Sequence, residues 1–166
     1  MFELKPLSPD AVPLALAKAE RYRLLNEPNE AQSICLDVLA ADPGNQEAVR
    51  TMILALTDQF VVDHSSVHEA FATVGQLNDE YERTYYTGII HERRAKAVLA
   101  HGVPRAGSRA YEWLQQGMRC FEQADAIRPS NNEDARLRWN ACARLIERRP
   151  EIAPMVEEPY EPLLSE

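Results

Sequence analysis

His64 and His68 stand four residues apart with Asp63 and Glu69 beside them, so two imidazoles would share one helix face. Imidazoles so placed can ligate zinc, which takes at least three protein ligands. The order is not His-Glu-x-x-His, because the glutamate follows the second histidine, and no third ligand is identifiable. The pair therefore reads as surface histidines at a helix start. His91-Glu92, near Tyr85-Tyr86, has acid–base residue types, but nothing nearby supplies a nucleophile or a cofactor cradle. There is no Gly-rich phosphate loop and no Gly-x-Ser-x-Gly. Cys35, Cys120 and Cys142 are odd in number, widely spaced and without a Cys-x-x-Cys pair, as expected of reduced thiols on apolar helix faces in a cytoplasmic protein. The expectation is no catalytic residue, no cofactor and no metal; a helical metal-dependent enzyme stays a remote alternative.

Charge is the stronger signal. Arg93, Arg94 and Lys96 fall close together, as do Arg136, Arg138 and Arg144. The net charge is −8, yet residues 1–80 carry −8, residues 81–150 carry +5 and residues 151–166 carry −5. A basic lobe lies between two acidic ones. The overall acidity argues against nucleic acid, whose binding rests on basic surface. No apolar run approaches the ~20 residues of a membrane span, and the first residues do not pattern as a secretory signal.

These side chains must be positioned by helices. Only 6 glycines occur in 166 residues, and apolar positions recur at helical rather than alternating spacing. Seven helices are expected: Leu14 to Leu25; a second with Asn29 as N-cap, ending at Asp42-Pro43-Gly44-Asn45; about Gln46 to Gln59; one capped from His64-Ser65-Ser66; a long one from about Asp79 to His101; one capped by Ser108 and running to Arg128; and one from Asn132 to Pro150 with Ala135, Trp139, Cys142, Leu145 and Ile146 on its inner face. The organisation is a Pro-containing leader at 1–11, a helical domain at 12–149 and an acidic, Pro-rich, extended tail at 150–166.

Ala19, Tyr22, Ala31 and Pro43 follow the spacing of one repeat of about 34 residues. Ala31 and Pro43 are twelve apart, as are Gly117 and Pro129, with Gly88 and His91 as upstream counterparts of Ala19 and Tyr22. On these residues the chain resembles the tetratricopeptide repeat family. The resemblance is strong in the first hairpin and looser over the rest of 12–148. It implies an all-α, right-handed stack of three antiparallel helical hairpins, with the seventh helix as a solvating cap. It further implies that the first helix of each hairpin lines a concave groove. That face would hold Leu16, Glu20, Arg23, Arg50, Leu54, Tyr85, Ile89, Glu92, Arg93, Lys96 and Asn140, acidic at one end and basic at the other. Chaperone-binding members clamp a C-terminal carboxylate with Lys and Asn, but Leu16, Glu20 and Thr51 occupy the matching positions, which disfavours a heat-shock cochaperone.

The expected function is a protein–protein interaction module, an adaptor or assembly factor that holds an acidic peptide or a partner helix. The alternative is a chaperone of the bacterial secretion type that holds unfolded export substrates. The tail combines five glutamates with Met155, Val156, Tyr160, Leu163 and Leu164, the composition of a docking peptide for a basic groove of this chain or of a neighbouring copy.

Overall fold

The computed structural model describes residues 2–155. It is all-helical over that range: a 3-10 turn at Pro9–Ala11 leads into α1 (Val12–Leu24), followed by α2 (Pro28–Ala41), α3 (Gln46–Asp58), α4 (Ser65–Val74), α5 (Glu80–His101), α6 (Ala106–Ala126) and α7 (Asp134–Arg148). No strand occurs among the described residues, and no helix there is long and apolar enough to cross a membrane.

The helix ends follow local chemistry. Asn45 accepts from the Ala48 N–H at 2.9 Å and opens α3; Asp79 accepts from the Glu82 N–H at 2.8 Å and opens α5. Gly102 closes α5 in the left-handed conformation, where a side chain would be strained. Two expected caps are corrected. Asn29 lies inside α2, because Pro28 already occupies its first turn, where a missing N–H costs nothing. Ser108 lies inside α6, which starts two residues earlier after Arg105 takes a left-handed turn at φ 61°. Asn132 does serve α7, accepting from the Asp134 N–H at 2.9 Å and from the Tyr81 hydroxyl at 3.2 Å.

Each helix packs on its successor, and α1 also touches α3, as α3 touches α5. Two main cores result. The first joins α1 to α4 through Ala19, Ala31, Cys35, Ile53 and Phe60; the second joins α5 to α7 through Ile89, Leu114, Phe121 and Cys142. Helix α5 belongs to both, with Ile90 and Ala97 turned to the first core and Ile89 and Val98 to the second. A smaller cluster sets Leu16 of α1 against Val38 of α2.

The closest helix contact is between α5 and α6. A Cβ on Gly117 would lie 3.1 Å from the Gly88 carbonyl oxygen, and one on Gly88 would lie 2.6 Å from the Phe121 ring. Glycine at both places lets the backbones meet and leaves Phe121 to fill the crossing. The packed part also runs past Pro150, into the segment assigned from sequence to the tail. Ile152 is 3% exposed within the second core, and the Glu151 carbonyl lies where a Gly107 side chain would begin. Residues 156–166, which carry most of the expected tail, lie outside the described residues.

Candidate binding site

Helices α1, α3 and α5 bring their charged side chains into chains of ion pairs. Arg23 of α1 donates through Nε to Asp58 of α3 at 2.9 Å, and Arg93 of α5 donates to the other Asp58 oxygen at 3.3 Å. One carboxylate thus ties three helices together. Arg50 pairs with Glu82 at 2.9 Å. Glu92 is fully buried and is held by Lys96 one turn away and by Arg138 of α7, whose Nη1 is 3.4 Å from both carboxylate oxygens. Burial alone would lower the Arg138 pKa; Glu92 and the neighbouring Tyr85 hydroxyl more than offset it, and the value is held above its ordinary level.

Of the expected groove residues, Glu20, Arg23, Arg50, Arg93, Lys96 and Asn140 keep some exposed surface, with Glu20 paired to Arg23 at 3.2 Å. Leu54 and Tyr85 are half-buried against the second core, where Tyr85 stacks on Tyr81 with ring centroids 5.7 Å apart. Leu16, Ile89 and Glu92 are corrected: they are 5%, 1% and 0% exposed, so none offers surface to a partner. Two are core apolar positions, and the third is a carboxylate sequestered by its own cations. The expected segregation of charge is corrected as well, since each of α1, α3 and α5 carries both acids and bases in these ion pairs.

Arg23 at the C-terminal end of α1 and Arg93 and Lys96 on the flank of α5 meet at the C-terminal end of α3, around a depression of about 310 Å³. Asp58 is the only acid among its described lining residues, while Glu20 and Glu92, outside the lining, pair with Arg23 and Lys96. Leu24 and Val61, on its edge, are 80% and 46% exposed. Arg93 Nε is buried without an acceptor among the described residues, so the guanidinium has donor capacity to spare.

Phe60 and Ala97 form the wall between this depression and a larger cavity of about 610 Å³ bordered by α4, α5 and α6. The larger cavity gathers Arg94, Arg109, His64, His68 and His101 around an apolar lining that includes Phe71, Val98 and Trp113. None of its described lining residues is acidic. The Arg94 guanidinium lies over the Trp113 ring at 4.0 Å, and the His64 and His101 rings are 5.1 Å apart. Asp63, beside His64, is engaged by the Ser65 N–H at 2.8 Å and the Ser65 hydroxyl at 2.7 Å. Sequence reading linked His64 with His68 but missed His101, Arg109 and Trp113. Their signal was present as helical spacing, Arg94 with His101 seven apart and Arg109 with Trp113 four apart. No group of three or more His, Cys, Asp or Glu side chains converges among the described residues.

The thiols are poor nucleophiles. Burial pushes Cys35 up to about 11 and Cys142 to about 12, and raises Cys120 as well. Burial, followed by the Arg94 charge, holds His91 below the ordinary imidazole range, with its Nδ1 unpartnered among the described residues. What the arrangement offers is cationic and apolar recognition surface. No protein-family model, no curated protein and no solved structure matches this chain.

Proposed function

We propose that this chain is a non-catalytic interaction module of tetratricopeptide-like build, in which α1/α2, α3/α4 and α5/α6 are the hairpins and α7 is the cap. Two features support that build. Val12 and Leu16 cluster with Val38 while Ala19 clusters with Ala31 and Cys35, the pairing of antiparallel helices. Alternate helices α1, α3 and α5 touch in series, as the first helices of stacked hairpins would.

The observation that carries the functional reading is the depression between the C-terminal ends of α1 and α3 and the flank of α5. Arg23, Arg93 and Lys96 outnumber Asp58 there, and Leu24 and Val61 stand exposed on its edge. Three cations lining one depression beside apolar anchors suit an acidic peptide, or the end of a partner helix, carrying aliphatic side chains. A peptide-display selection against the full chain tests this: the enriched sequences should combine Asp or Glu with Leu, Ile or an aromatic residue. Arg93→Glu should weaken the selected peptides at least tenfold. Enrichment of basic sequences, or indifference to Arg93→Glu, would refute the reading.

One observation favours the chaperone alternative. On α1 and its C-terminal end Leu14 and Leu25 are 78% and 61% exposed and flank a depression of about 480 Å³ that includes Tyr22. Such an apolar strip would hold unfolded substrate. Leu14→Glu with Leu25→Glu would abolish holdase activity under that reading and leave display-selected peptides bound under the leading one.

A further inference from the structure

We propose that the larger cavity, bordered by α4, α5 and α6, is the seat of this chain's own residues 156–166, docked in cis. The inference concerns a different cavity from the acidic-peptide depression and stands whether or not that depression is a partner site.

Three observations converge on this occupant. The first is charge. The cavity presents the guanidinium groups of Arg94 and Arg109 and the imidazoles of His64, His68 and His101, with no acid among its described lining residues. Residues 156–166 contain Glu157, Glu158, Glu161 and Glu166 and no basic residue. The second is shape and chemistry. The lining supplies aromatic and aliphatic surface from Phe71, Trp113, Val67 and Val98, and the segment supplies Val156, Tyr160, Leu163 and Leu164 among its acids. A peptide with apolar anchors and one sign of charge fits a pocket with apolar walls and the opposite sign.

The third is where the chain leaves the described structure. The Glu151 carbonyl lies against Gly107, two residues before Arg109 on α6. Ile152 is buried in the core that also contains Val98, itself part of the cavity lining. The last described residue, Met155, is 52% exposed. Glu151, five residues before the segment, therefore lies beside the first turn of the helix that contributes Arg109 and Trp113. Eleven residues can span up to about 36 Å, and a helix is about 10 Å across, so reach does not limit the contact. Tethering places the segment at an effective concentration on the order of millimolar. A contact whose separate-peptide Kd is about 100 μM would then be occupied roughly tenfold over empty.

The test uses a fluorescein-labelled peptide of residues 156–166 and its anisotropy against three proteins: the full chain, the full chain carrying Glu157→Gln, Glu158→Gln and Glu161→Gln, and that triple variant with Arg109→Glu. Arg109 is exposed on α6, and circular dichroism verifies that the last protein is folded. The docked segment of the unaltered chain should exclude the peptide. The triple variant should bind it about tenfold more tightly, with affinity that falls as salt rises, and Arg109→Glu should remove that binding. Equal affinity for the unaltered chain and the triple variant would overturn the proposal, as would binding insensitive to Arg109→Glu. So would exclusion by the unaltered chain that appears only as protein concentration rises, since that would put the segment in a neighbouring copy.

Discussion

Gly88→Ala isolates the contact on which the second half of the molecule is built. The new methyl would sit 2.6 Å from Phe121 Cε1 and 2.8 Å from Cδ1, so the ring must retreat about 0.8 Å to reach the 3.4 Å where ordinary contact begins. Phe121 has little room to give: it is fully buried, and the Tyr85 ring stands 5.9 Å away. Overpacking of this kind costs about 1–3 kcal/mol, and a shift of this size against a fully enclosed ring belongs in the upper half of that range. Replacing a mid-helix glycine by alanine returns about 1 kcal/mol of helix propensity. The balance is a net loss of about 1–2 kcal/mol. For a chain of this size each kcal/mol moves Tm by roughly 2–4 °C, so thermal unfolding should drop by about 2–8 °C. Adding Phe121→Leu should relieve the clash, so the double variant should be more stable than the sum of the two single losses predicts. A Gly88→Ala variant as stable as the parent, or more stable, would refute the close α5–α6 crossing.

Other outcomes follow from the same geometry. Arg138→Ala should cost about 2–3 kcal/mol in denaturant unfolding, since it leaves the buried Glu92 carboxylate with Lys96 alone. Glu92→Gln should cost less than Arg138→Ala, because Lys96 and Arg138 are 47% and 33% exposed and can turn to water. The depressed His91 pKa means the unfolded chain takes up the proton first as pH falls. Its share of stability is therefore complete above the unfolded imidazole pKa of about 6.5 and declines as pH drops toward the folded value; His91→Gln should flatten the Tm–pH slope below about pH 6.5. Iodoacetamide on the native chain should alkylate half-exposed Cys120 well before buried Cys35 and Cys142, as read by peptide mass.

The helices were legible because their signals are local. Asp42-Pro43-Gly44-Asn45 stops α2, Asp79 opens α5 and Gly102 closes it, each by chemistry contained within a few residues. Gly88 and Gly117 stood out by their spacing as small residues of the repeat, but that they meet across α5 and α6 is seen only in the structure. The charged face was read less well. Helical position alone cannot tell a cation facing solvent from one spent on a carboxylate of another helix, and Asp58 and Glu92 are paired across 35 and 46 residues. The larger cavity escaped because its arginines and histidines come from three helices and a connector, and only the folded chain brings His64 to His101. Ile152 was assigned to the tail because the prolines around it forbid a helix, which leaves open whether an extended segment packs.

The account rests most heavily on the cation-lined depression between the C-terminal ends of α1 and α3 and the flank of α5 as the partner site. An amide chemical-shift titration of the isotope-labelled chain with a display-selected acidic peptide addresses it directly. The largest shifts should fall on Leu24, Asn26, Thr57, Val61 and Lys96, which line that depression, and Arg93→Glu should abolish them. Shifts confined to α1 around Leu14 and Lys18, or unchanged by Arg93→Glu, would contradict the account.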